Sequence, residues 1–246
     1  MKNVPKIAPK RFVELDLWRG VAVVFMIVFH FFFILDFYGV VKNEMRSGFF
    51  EIFGDFVRIS FLLIVGISMA ISFQRVFTET GSRWLAILRQ WKRAFIVAVC
   101  ALIVSFVTFF AVPDVYVRFG ILHLIAVSIF VLAFFAGSKW LSFVFAVFSF
   151  IFGYVLKDCS SVILPVCGNG AVALDYFPIF PWIGFSALGI FIGRIFYVEK
   201  AGGFRIFDSR NFIFRAIFAM GRHSLLIYMV HIPVIIGIFV LLGINF

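Results

Sequence analysis

From Val21 to Leu35 every side chain but one is apolar, and the exception is His30. A run of this kind, repeated along the chain at roughly 20 residues a time, fits a hydrocarbon core of about 30 Å. Inside such a core each backbone N–H and C=O must be paired within its own segment, which restricts the chain to helices or a closed barrel. The runs are far too long for barrel strands, so an all-α transmembrane bundle follows. Composition agrees: 64% of residues are hydrophobic and 14% are charged, unlike a soluble domain.

The apolar runs predict about seven spans, near 14–38, 50–74, 90–111, 119–136, 140–157, 178–197 and 222–244, filling one membrane domain over 1–246. Lys and Arg sort onto one side if the N-terminus is cytoplasmic. That side receives Lys2, Lys6, Lys10, Arg11, Arg75, Arg83, Arg89, Lys92, Arg93, Lys139, Lys200, Arg205, Arg210 and Arg215, with Arg194 and Arg222 at helix ends. The other side keeps Lys42, Arg46, Arg118 and Lys157, with Arg58 close by. This bias predicts a cytoplasmic N-terminus and an external C-terminus, and it accounts for the net charge of +10 without nucleic acid. The first run reads as an uncleaved span: it is too long for a signal-peptide core and ends without a small-residue cleavage site.

Polar groups within the spans carry the functional argument, because ionisable side chains in lipid are costly and face protein or a water-filled cavity. Arg19 and His30 are eleven residues apart, a rotation of about 1,100° and a rise of about 16 Å, which puts both on one helix face. Asp16 lies three residues before Arg19 and Asp55 three before Arg58, each spaced for an ion pair. His123 sits near the start of span four. His231 falls mid-span, just before Pro233, whose missing N–H leaves a carbonyl in the preceding turn to be satisfied. His223 is placed to cap the last span. The carboxylates Asp16, Asp36, Asp55 and Asp175 fall near span ends, which argues against an ion-coupled transporter.

Other signals are architectural. Gly66-x-x-x-Ala70 and Gly189-x-x-x-Gly193 suit close helix packing. Two prolines in Phe177-Pro178-Ile179-Phe180-Pro181-Trp182 predict an ordered entry to span six. Cys159 and Cys167 flank a loop and have the spacing to pair in an oxidising compartment, whereas Cys100 reads as packing. Metal, P-loop and nucleophile-elbow motifs are absent from the sequence.

Three stretches together resemble a known family: Asp16-Leu-Trp-Arg19-Gly20 running into His30, Phe177 to Arg194, and Gly221-Arg-His-Ser-Leu-Leu-Ile-Tyr-Met-Val-His231. They are similar to the catalytic domain of the heparan-alpha-glucosaminide N-acetyltransferase family, as a prokaryotic-type member. The Arg-to-His spacing and the terminal Ile-Tyr-x-x-His pattern are also similar to the wider membrane acyltransferase-three group. The resemblance covers nearly the whole chain. It implies an integral protein of a prokaryotic cytoplasmic membrane that moves an acyl group, acetyl foremost, from cytosolic acyl-CoA to a hydroxyl or amine at the opposite face. The implied partners are lipid, acyl-CoA and a glycan-like or lipid-linked acceptor, with no metal; a homodimer is compatible with it. In the animal lysosomal enzymes a histidine lies in the loop ahead of the aspartate matching Asp55, a place near Met45 here, and an asparagine stands where this chain has His30.

On this reading Arg19 meets a CoA phosphate, helped by Arg89, Lys92, Arg93, Arg194 or Arg222. His30 is the general base, with His123 or Tyr228 assisting; Asp16 is counted with the catalytic residues, and Tyr228 and His231 with the substrate site. The competing readings are a transporter or flippase path lined by Arg19 and His30, or a structural subunit. Purified protein is expected to bind acyl-CoA; absence of binding and turnover, with solute movement in proteoliposomes, would favour the transporter.

Overall fold

The computed structural model describes residues 12–40, 48–156, 165–166, 173–200 and 211–243. Every regular element among them is helical: α1 (Val13–Phe37), α2 (Gly48–Thr80), α3 (Arg83–Ala111), α4 (Ile121–Leu132), α5 (Lys139–Val155), α6 (Ile179–Gly193) with a π-helical continuation Arg194–Glu199, α7 (Phe212–Arg222) and α8 (Ser224–Leu241). Five helical segments are long and apolar enough to cross a membrane, and α4 and α5 are shorter apolar helices. The protein is an integral membrane helix bundle. Cys159, Cys167 and Met45 lie outside the described residues.

The chain forms two compact units. One comprises Met1–Arg11 and Leu62–Gly203, and the other Phe12–Phe61 and Phe204–Phe246. In the larger unit, small residues set how closely helices approach. A Cβ built on Gly66 would stand 2.0 Å from the Ser186 carbonyl oxygen, one on Gly189 would stand 2.3 Å from that of Leu63, and one on Gly193 would meet Ile67 and Ala70. The two small-residue motifs therefore face each other across α2 and α6. Without a hydrophobic drive between helices in lipid, such close backbone approach supplies the packing energy. Ser142, Ala146, Ser149 and Gly153 form the buried stripe of α5, which packs on α6 with the Ser149 hydroxyl donating to the Pro181 carbonyl at 3.2 Å. The outward faces of α3 and α5 carry Phe95, Leu102, Phe106, Phe110, Val144, Ile151 and Tyr154, all exposed as lipid-facing residues would be.

The entry to α6 is ordered, as its prolines predicted. Phe177 N–H donates to the Phe119 carbonyl at 2.9 Å, Leu174 N–H to that of Val115 at 2.6 Å, and Ile179 N–H to that of Pro165 at 2.7 Å. Phe180 interrupts the first turn with extended dihedrals before the helix proper starts.

Several boundaries differ from the sequence reading, α2 running on to Thr80 and α4 ending at Leu132 among them, and two differences have a clear cause. The third helix starts at Arg83 instead of near 90: the Ser82 hydroxyl accepts the Leu85 N–H at 3.3 Å and caps a first turn that lies ahead of the basic stretch Arg89 to Arg93. The expected loop before the last span contains α7, capped by the Asn211 side chain on Ile213 N–H at 3.0 Å. One residue, His223 at φ −107° and ψ 22°, separates it from α8, and its side chain makes no cap bond. An isolated helix this short is marginal, and α7 is sustained by packing on α1.

Gly66→Ala is expected to lower the detergent melting temperature, with an overpacking cost of about 1–3 kcal/mol. Gly237→Ala, with nothing within 4 Å of the added carbon, should leave it unchanged or slightly raised.

Candidate functional site

The smaller unit joins the first and last sequence motifs. At one end of α1, a Cβ on Gly20 would lie 2.0 Å from the Ile217 carbonyl oxygen, and a Cβ on Gly221 only 1.8 Å from that of Asp16. The backbones of α1 and α7 thus touch where only glycine fits. Beside this contact Asp16 is buried, and Arg19 Nη1 donates to its Oδ1 at 3.0 Å, so the predicted pair forms. Paired this way, the guanidinium is fixed in direction and still about a quarter exposed.

Further along α1, His30 meets His231 of α8, with ring centroids 4.7 Å apart and planes at 77°. His30 Nδ1 lies 2.8 Å from the Met26 carbonyl oxygen, and His231 Nδ1 lies 2.7 Å from that of Tyr228. A carbonyl can only accept, so in the neutral rings both Nδ1 atoms carry the proton and both Nε2 atoms present a lone pair. His231 Nε2 is buried with no hydrogen-bond partner. His30 is half-buried, so the two rings differ in access. The carbonyl that His231 holds is that of Tyr228, one residue before the carbonyl at Met229 that Pro233 leaves open.

Aromatic side chains wall this pair. Phe29 and Phe33 stand edge-on to His30 at 5.5 and 6.4 Å, and Tyr228 lies 5.4 Å from His231. Arg58 on α2 pairs with Asp55, as their spacing predicted, and its guanidinium sits 5.7 Å over the Phe29 ring. Val23, Met26 and Val57 form the apolar core beneath, with Ile227 and Tyr228 packed on it.

The remaining candidates have different settings. Arg222 belongs to the same unit, exposed, with its guanidinium 6.0 Å from the Phe218 ring. His123, Arg89, Arg93 and Arg194 belong to the larger unit. His123 has the opposite tautomer: Nδ1 accepts the Gly120 N–H at 3.2 Å, leaving Nε2–H to face the Ser105 hydroxyl at 3.3 Å. That hydroxyl donates to the Val117 carbonyl at 2.6 Å, and Asp175 accepts the Ile121 N–H at 3.0 Å. Both ring nitrogens of His123 are thereby engaged in holding the start of α4. Arg194 donates to the Ala136 carbonyl at 3.2 Å and faces Gln74 Oε1 at 3.5 Å, and Arg93 faces the oxygen of the fully buried Gln90 at 3.4 Å. Arg89 is exposed on α3.

Sequence reasoning did not single out Gly20, Gly221 or the carbonyls of Met26 and Tyr228. Glycine in both end motifs was the available signal for the first two; a backbone acceptor leaves none. Among the described residues no cluster of three or more His, Cys, Asp or Glu side chains is arranged to hold a metal.

A family model described as heparan-alpha-glucosaminide N-acetyltransferase, catalytic, matches residues 11–233. The matched stretch holds every motif named above, from Asp16 to His231. No curated protein and no solved structure matches the chain.

Histidine-selective 15N spectra of the protein in bilayers are expected to show Nδ1–H tautomers for His30 and His231 and the Nε2–H tautomer for His123. A bare Nδ1 at His30 would contradict its hydrogen bond to the Met26 carbonyl.

Proposed function

The chain belongs to the heparan-alpha-glucosaminide N-acetyltransferase catalytic family, a family of membrane acetyltransferases, and on that premise we propose that it transfers an acetyl group from cytosolic acetyl-CoA to an acceptor hydroxyl or amine at the opposite membrane face. The observation that carries this reading is the state of His30: one ring nitrogen tied to Met26, the other a free lone pair on a half-buried imidazole.

Binding comes first. Arg19, oriented by Asp16, presents its partly exposed guanidinium to a phosphate of the donor, a charge-assisted contact suited to that planar group. About 16 Å of helix separates Arg19 from His30, a span that an extended pantetheine arm can cover. The arm delivers the thioester carbonyl to the level of the imidazoles. Arg222, near the same helix end, adds positive charge there. The proposal takes the acceptor as glycan-like or lipid-linked and the N-terminus as cytoplasmic.

Chemistry follows from the tautomer. The acceptor O–H or N–H donates into His30 Nε2, the acceptor atom attacks the thioester carbonyl carbon, and the carbon–sulfur bond breaks to release the thiolate. General-base assistance of this kind contributes typically 10²–10⁴-fold. Asp16 acts here through Arg19, and His123, locked into the start of α4, acts as a positioning residue for that helix.

The test separates binding from chemistry. His30→Ala is expected to lower kcat by about 10²–10⁴-fold with acyl-CoA affinity and melting temperature unchanged. Arg19→Lys, which retains the charge beside Asp16, is expected to weaken acyl-CoA binding about tenfold, in the range for one charge-assisted hydrogen bond, with kcat nearly intact. Unaltered turnover in both variants would remove the acyltransferase assignment from this site.

A further inference from the structure

His231 is the one group at this site whose setting the mechanism leaves unexplained. Its Nδ1–H is held by the Tyr228 carbonyl, so its Nε2 can only accept, yet that atom is buried and receives nothing. A buried acceptor without a donor costs about 1–3 kcal/mol. Its neighbour at 4.7 Å, His30, is locked in the same sense by Met26 and also ends in a bare Nε2. Two bare acceptors on neighbouring rings flanked by aromatic side chains, with both N–H groups turned to the backbone, make a site rich in acceptors and short of one proton.

We propose, resting on the acyl-transfer reading above, that His231 is the positioning partner of His30: the pair carries a single added proton, shared between the two Nε2 atoms, during each transfer. An isolated imidazolium in a lipid-spanning helix is costly. Sharing the proton draws the two bare Nε2 atoms, which make no hydrogen bond to each other in the neutral pair, into one charge-assisted N–H···N bond, stronger than a neutral one. The bond exists only after His30 has been protonated, so it stabilises the state that follows attack and not the resting enzyme, which is the condition for accelerating the chemical step.

The proton balance is closed. As the acceptor's oxygen or nitrogen bonds to the acyl carbon, its proton moves to His30 Nε2. The acylated product no longer holds that proton, which His231 Nε2 then shares while the carbon–sulfur bond breaks. It leaves with the thiolate as free CoA–SH, returning both rings to neutrality. No oxidant, metal or further base enters. Among the described residues, Tyr228 on α8 lies beside His231, and Arg58 on α2, paired with Asp55, sits over the Phe29 ring that flanks His30.

The experiment compares wild type with His231→Leu and His231→Gln, the second keeping a side-chain acceptor. Steady-state kinetics with acetyl-CoA are paired with 15N-histidine spectra in liposomes during acidification. Expected for wild type is uptake of one proton that shifts both Nε2 resonances together. Expected for His231→Leu is loss of that shared signal and a fall in kcat of about 10²-fold, at the lower end of general-base effects, with the KM for acetyl-CoA changed less than about threefold. His231→Gln should recover at least about tenfold of the lost kcat, within the same range. Independent protonation of the two rings would overturn the proposal, as would wild-type kcat in His231→Leu or equal loss in Leu and Gln variants. If the wild type protonates as a pair but transfers no acyl group, the shared proton stands and the acyltransferase reading falls, so the two failures are told apart.

Discussion

The backbone contact between Gly20 and the α7 turn ending at Gly221 governs the site. An added methyl at either position would meet a carbonyl oxygen at 2.0 Å or less. That contact fixes the level at which the end of α7 meets α1, and α8 begins a short step beyond Gly221, at Ser224. The contact pairs Gly20 with Ile217 and Gly221 with Asp16, so α7 runs back along α1 and delivers the chain to the start of α8, from which His231 reaches His30. Asp16 and Arg19 stand at the contact itself, so the cationic anchor and the chain leading to His231 share one steric constraint.

The chemistry available there is set by backbone acceptors more than by neighbouring side chains. Carbonyl oxygens of Met26 and Tyr228 decide which nitrogen of each ring carries hydrogen. In a helix interior these carbonyls are already used by the ladder, and a second hydrogen bond to each is an orientation device. The same logic gives the opposite result at His123, where the ring accepts from the backbone and spends its remaining N–H on Ser105. Three histidines of one type are thus differentiated by their local hydrogen bonds into two bare bases and one brace.

Much of the fold was legible because lipid leaves the chain few options. Long apolar runs and glycine pairs at small-residue spacing yielded helices at nearly the expected places and the α2–α6 packing through Gly66 and Gly189. What escaped was the part sustained by tertiary contact. The helix α7 has too little apolar length to announce itself, and it forms against α1. The start of α3 is cut off from its apolar run by the basic stretch Arg89 to Arg93, and the Ser82 cap is what extends the helix back to Arg83.

For the site, the sequence by itself determined which residues could matter. Arg19, His30 and His231 are costly in a membrane, and helical periodicity puts the first two on one face. The Asp16–Arg19 and Asp55–Arg58 pairs also followed from spacing, because a helix makes neighbours of residues three apart. Only the tertiary structure decided that His231 faces His30 and that both present Nε2, while His123 is held at the start of another helix. The physical reason is that periodicity fixes geometry within one helix, whereas partners on different helices depend on where backbones can touch, and that is decided by the absent side chains of Gly20 and Gly221.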